Sequence, residues 1–224
     1  MTKHMIRFVA LAILGFALAP VANADIVAIT SVTTSGSIDL DTFTVGTVTY
    51  TTATDLSLGT SVQTDSSALN SRVIGNQDNF DLNLIFSRGA NAADNAWNTS
   101  LFGGANWSDS NGSAADFFIF EARGNDTLSV APIFTDDSVG QYVTIASDGV
   151  NWGSTGVTVT GPVRNGDTIF GVAFAITDLK DAGGVALTNS TVIKGLAFDA
   201  PGIDIASISA VPAPETDPAI TSKN

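Results

Sequence analysis

Twenty aspartates, two glutamates and three tryptophans carry most of the chemistry open to this chain. The single histidine, His4, lies within the first 24 residues, and there is no cysteine. Beyond Ala24, therefore, no Ser-His-Asp or Cys-His triad can be built, nor a zinc site of imidazoles or thiolates. Ser-Lys catalysis would need Lys180, Lys194 or Lys223, none of which stands in a Ser-x-x-Lys context. Glycoside hydrolysis needs only two carboxylates. Glu121 is the candidate acid, working with an Asp, because it follows four apolar residues and desolvation favours a protonated carboxyl. The competing reading is an end-of-strand Glu paired with Arg123 or turned to water. No Gly-rich phosphate loop leads from a strand into a helix, which disfavours nucleotide binding. The expectation is that there are no catalytic residues.

Two binding chemistries remain. Asp109-Ser110-Asn111-Gly112-Ser113, with Asp116 close behind, sets oxygen-bearing side chains around a Gly turn. Calcium takes about six to eight oxygens, so Asp109, Asn111 and Asp116 are the candidate ligands and calcium the one cofactor in view. The run lacks the repeated acids and terminal Glu of an EF-hand loop, and ion-free polar turns are the alternative. Asp136-Asp137 and Asp199/Asp204 offer looser versions of the same idea. Trp97, Trp107 and Trp152 each lie close to an Asn. An aromatic face beside amide and carboxylate groups can hold a sugar ring, and the three are the candidate carbohydrate-binding residues. The same rings could instead pin loops to a core.

The elements that must position these residues read as strands. Short apolar or alternating runs are punctuated by Gly, Asn, Asp and Ser, the pattern of an all-β chain. Expected strands are Ile26–Val32, Phe43–Tyr50, Phe80–Phe86, Asp116–Ala122, Thr127–Phe134, Gln141–Ala146, Val157–Thr160, Thr168–Thr177, Val192–Phe198 and Ile203–Val211. Asp116–Ala122 is apolar on both faces between its ends, and belongs in a sheet centre. In Thr168–Thr177, Phe170, Val172, Phe174 and Ile176 share one face, suited to an inter-sheet core. Ile169, Gly171, Ala173 and Ala175 line the other, small enough to admit a closely packed loop or helix. Short helices are expected at Asp65–Arg72 and Thr177–Ala182. Arg88–Ala115 has no periodicity and reads as a long loop, the first guess for a binding loop. The fold predicted is a single all-β domain, an antiparallel β-sandwich of about ten or more strands, jelly-roll-like or galactose-binding-like, over residues 25–211.

Residues 1–24 have the form of a secretory signal peptide. Lys3 and Arg7 precede the apolar run Phe8–Leu18, and Ala22-Asn23-Ala24 supplies a small-x-small cleavage site. Cleavage there leaves seven basic residues against 22 acids, a net charge of −15, where the whole chain carries −13. Such a chain repels nucleic acid and anionic lipid, so neither is an expected partner. No membrane span is expected in the mature chain. Residues 212–224, Pro-containing and polar, read as a disordered tail.

Phe117-Phe118-Ile119-Phe120-Glu121, Gly124-Asn125-Asp126 and Gly140-Gln141-Tyr142-Val143-Thr144-Ile145 form an ordered set. It continues in Trp152-Gly153-Ser154-Thr155-Gly156, Gly171 to Leu179, and Ile193-Lys194-Gly195-Leu196. Over roughly residues 116–212 this set resembles the exosortase-associated surface proteins of Gram-negative bacteria, which carry a PEP-CTERM sorting tail. Val211-Pro212-Ala213-Pro214-Glu215 is similar to the Val-Pro-Glu-Pro opening of that tail, so Val211, Pro212, Pro214 and Glu215 form a sorting-like motif. Thr216–Asn224 carries neither the hydrophobic span nor the basic cluster of such a signal, which makes the tail a degenerate or truncated version. The resemblance implies an exopolysaccharide or biofilm-matrix setting and carries over no catalytic residues. The function expected is a secreted, non-enzymatic matrix or cell-surface protein, adhesive or associated with extracellular polysaccharide. The alternatives are a carbohydrate-active hydrolase using Glu121 and a purely structural subunit that assembles through exposed strand edges.

Overall fold

The computed structural model describes residues 26–36, 38–52, 57–58, 60–62, 82, 86–87, 96–100, 106–109, 115–147, 149, 151–160, 165–199 and 204–211. Fourteen strands occur among them, paired antiparallel. They are β1 (Val27–Ser35), β2 (Asp39–Val45), β3 (Val48–Thr51), β4 (Ser57–Leu58), β5 (Thr60–Val62), β6 (Phe86–Ser87) and β7 (Ala96–Ser100). The second half adds β8 (Phe117–Ala122), β9 (Leu128–Phe134), β10 (Val143–Ile145), β11 (Gly153–Thr158), β12 (Thr168–Phe174), β13 (Ile193–Asp199) and β14 (Asp204–Ala210). A nine-stranded sheet runs β3-β2-β1-β12-β8-β14-β4, with β11 also on β12 and β6 also on β14. A five-stranded sheet runs β10-β9-β13-β7-β5. The chain is all-β and sandwich-like, as its patterning predicts.

Its centre is the Phe-Phe-Ile-Phe run of β8, in which every residue is buried. β8 pairs with β12 on one side and β14 on the other, so its alternate side chains enter two different cores. Phe117 and Ile119 join Val172 and Phe174 of β12, and meet Leu128, Val130, Leu196 and Phe198 from the five-stranded sheet. Phe118 and Phe120 point to the opposite side, where they meet Ile29, Phe43 and Tyr50 of β1–β3. Burying a side chain of this size contributes about 1.5–3 kcal/mol, which explains a strand with no polar face.

The second core exists because β1 changes partner. Val27 and Ala28 pair with Ala173 and Val172 of β12, whereas Ile29 onward pairs with β2. Ser31 at φ 53° and a register shift between Thr30 and Thr33 mark a bulge, which bends and twists a strand. The β1–β3 arm thus curls over the far face of the nine-stranded sheet, giving it a half-barrel shape. The small face of β12 is what admits it, since a Cβ on Gly171 would lie 2.9 Å from the Ile29 Cβ. A loop or helix was the expectation there, and a strand arm takes the place.

Other expectations shift. Phe43–Tyr50 is not one strand but a hairpin: Val45 pairs with Val48 across Gly46-Thr47, with Gly46 at φ 60°. A glycine at the first position of a two-residue loop is the signature of the type II′ turn. The supposed long loop Arg88–Ala115 contains β7, which lies between β13 and β5. The expected Val157–Thr160 strand begins earlier, as β11. Thr177–Ala182 shrinks to a single 3-10 turn, Ile176–Asp178, closed by the Ala175 N–H donating to the Asp178 Oδ2 at 2.8 Å. Asp65–Arg72, most of Phe80–Phe86, the leader 1–24 and the tail 212–224 lie outside the described residues. No helix among the described residues is long and apolar enough to cross a membrane.

Candidate functional site

Trp107 and Asp116, one an expected sugar ligand and the other an expected calcium ligand, build a structural knot. Trp107, at 1% exposure, packs in the inter-sheet core 4.8 Å (ring to ring) from Phe117. Its backbone N–H and carbonyl bridge Ile193 at 2.7 and 2.9 Å, and its indole N–H donates to the Val211 carbonyl at 2.7 Å. Asp116 is fully buried. Its Oδ2 accepts the Ile176 N–H at 2.7 Å, its N–H donates to Phe174 and its carbonyl accepts from Val211. One residue, through its carboxylate and its backbone, therefore ties together the start of β8, the 3-10 turn and the end of β14. Trp107→Phe keeps the ring burial but removes the indole donor, and is expected to cost about 1–2 kcal/mol, read as a lower urea midpoint.

Burial overturns the sugar-stacking role of Trp107 and equally of Trp152, also 1% exposed and in the same core. A ring enclosed by apolar side chains has no face left for a saccharide. For Trp97 the structure gives only its backbone place in β7, opposite Phe198. Asp109 is buried, Asn111 lies outside the described residues, and the Asp116 carboxylate is engaged by backbone. Among the described residues, no three acids or histidines gather as a metal would require. Of the sorting-like motif, Val211 is held by Asp116 and Trp107, whereas Pro212, Pro214 and Glu215 lie outside the described residues.

Glu121 sits at the other end of β8, fully buried, and its Oε2 accepts the Gly124 N–H. The turn that supplies this N–H has Arg123 at φ 84° and Gly124 at φ 62°. Arg123 pairs with Asp167 at 2.8 Å. A general acid must reach the glycosidic oxygen, whereas the Glu121 carboxyl faces the protein interior. Glu121 serves the turn.

The outer face of the five-stranded sheet is open in part, at Tyr142, Thr144 and Asp199. Leu128, Val130 and Ile145 point inward, so Ser129, Ala131 and Thr144 point outward. Asp199, Ser129 and Thr144 are opposite one another on β13, β9 and β10, and the two hydroxyls lie 3.3 Å apart. The next row holds Ala197 and Ala131, which form a small buried cluster with Ile133. Tyr142, two residues before Thr144, flanks that row. At 46% exposure it is the one aromatic among the exposed large side chains of the described residues. Burial of its inner part pushes the phenol pKa up, and the Asp199 carboxylate adds to the shift.

The backbone beneath Tyr142 is tightly held. The Gly140 N–H donates to Pro132 at 2.9 Å, and the Gln141 N–H to Lys180 at 3.2 Å. A Cβ on Gly140 would stand 2.1 Å from the Lys180 carbonyl oxygen. In the preceding turn Asp136 accepts the Ser138 N–H and hydroxyl at 3.0 and 2.6 Å, which hold its carboxyl below the usual range. Lys194 reaches across to Asp137 from the register shift between Ile193 and Gly195. A fixed, exposed aromatic near a row of hydroxyl and carboxylate groups is suited to a sugar ring, with the ring face packing and the row hydrogen-bonding. Tyr142 is not among the sugar ligands expected from the sequence, which are all tryptophans. The available signal was an aromatic at an outward position of an expected strand, Gln141–Ala146. The chain matches no family model, and no curated protein or solved structure matches it.

Proposed function

We propose that this chain is a secreted, non-enzymatic protein of the extracellular matrix or cell surface of a Gram-negative bacterium, associated with extracellular polysaccharide through the face around Tyr142. The observation that carries the reading is a solvent-exposed aromatic held on a fixed backbone beside Asp199, Ser129 and Thr144. Support for the setting comes from the signal-like leader, the acidic charge and the resemblance to exosortase-associated proteins, with Val211–Glu215 as a degenerate sorting tail. The buried, backbone-engaged carboxylates of Asp116 and Glu121 favour binding over hydrolysis. Co-sedimentation with producer exopolysaccharide and a glycan array test the reading. Tyr142→Ala is expected to weaken binding about tenfold, the scale of a lost aromatic contact, with stability unchanged. No binding with or without calcium would defeat it.

A further inference from the structure

We propose that the Tyr142 face selects amine-bearing saccharides over neutral and acidic ones, an inference that rests on the polysaccharide reading above. An aromatic face and a carboxylate are the two groups that attract an ammonium, the first through its ring quadrupole and the second by charge. Here they share one sheet face. Asp199 is exposed and stands two strands and one row from Tyr142, so their backbones are about 12 Å apart at ordinary strand spacing and rise, a span that the two side chains and one sugar residue can bridge. The neighbouring cations are Lys180, which is followed directly by Asp181, and Lys194, which is paired with Asp137. The surrounding charge is thus balanced or negative, on a chain with 22 acids and nine basic residues. A polyanion meets repulsion over the whole surface, and a neutral glycan gains from stacking alone.

Full-length protein is titrated with three probes: chitosan oligosaccharide, chitin oligosaccharide of the same backbone with its amines acetylated, and polygalacturonate. At low salt and mildly acidic pH the chitosan oligomer is expected to bind about fivefold more tightly than the chitin oligomer, the upper range for one exposed ion pair. The two should converge at high salt, and polygalacturonate should bind weakest. Asp199→Asn should erase the difference, while Asp39→Asn, the same charge change on β2, should preserve it. Equal affinity for chitosan and chitin oligomers, tightest binding of polygalacturonate, or an equal effect of Asp39→Asn would overturn the selectivity and leave the polysaccharide reading standing. Binding of none of the three, or binding undiminished by Tyr142→Ala, would overturn both.

Discussion

Gly153→Ala is expected to be among the most damaging single substitutions in the domain, lowering stability by at least ~3 kcal/mol, the upper end for overpacking. An added Cβ would lie 2.1 Å from the Ile29 carbonyl oxygen and 3.0 Å from the Ile29 carbonyl carbon and the Ala28 Cβ. These atoms belong to backbone or to a side chain with no rotamers, so none can swing aside. The clash falls where β1 leaves β12 for β2, and relief requires moving the strand that carries the curled arm. Such a loss is a large share of the roughly 5–15 kcal/mol of a typical domain. Urea unfolding should show a much lower midpoint. Gly156→Ala makes the comparison: at φ 75° with nothing within 4 Å, it should cost only the backbone penalty of about 1–2 kcal/mol. Equal midpoints for the two variants would show that β1 is not packed against Gly153 as described.

Phe118→Ala should cost about 3–5 kcal/mol and do so on one side of the sheet. The ring is fully buried, with centroids 4.9 Å from Phe43 and 4.7 Å from Tyr50. Its removal takes away the support on which the β1–β3 arm rests, and loosens the Tyr50 hydroxyl, which donates to the Ala115 carbonyl at 3.3 Å. Amide exchange should therefore quicken most in β1–β3. Phe117→Ala, one residue away, empties a site beside Trp107 and Phe174 at 4.8 and 5.2 Å, and should quicken exchange between the two sheets instead. Indistinguishable exchange patterns would mean one continuous core, contrary to the two-faced reading of β8.

These two experiments probe what was legible in the chain. Burial on both faces of β8 followed from an uninterrupted apolar run, and the large and small faces of β12 from strict alternation, since neighbouring residues of a strand point to opposite sides. The hairpin within Phe43–Tyr50 was signalled by Gly46, yet the flanking apolar residues continue through it and conceal the reversal. β7 was missed because Ala96–Ser100 carries little hydrophobic pattern; its place in the sheet comes from pairing with β13 and β5, a long-range property. The tryptophans misled for a related reason. A Trp amid Asn and Ser has the same local sequence whether it stacks on a sugar or fills a core.

By itself, then, the sequence determined the class of the fold, its central strands, the lack of histidine and cysteine beyond residue 24, and the strong negative charge. Composition and local periodicity suffice for these. Only the tertiary structure decided that Trp107, Trp152, Asp116 and Glu121 are internal, that β1 crosses behind the sheet, and that Tyr142 stands exposed on the same sheet face as Asp199. Burial and juxtaposition depend on which distant strands come to lie together, and no window of the chain contains both partners.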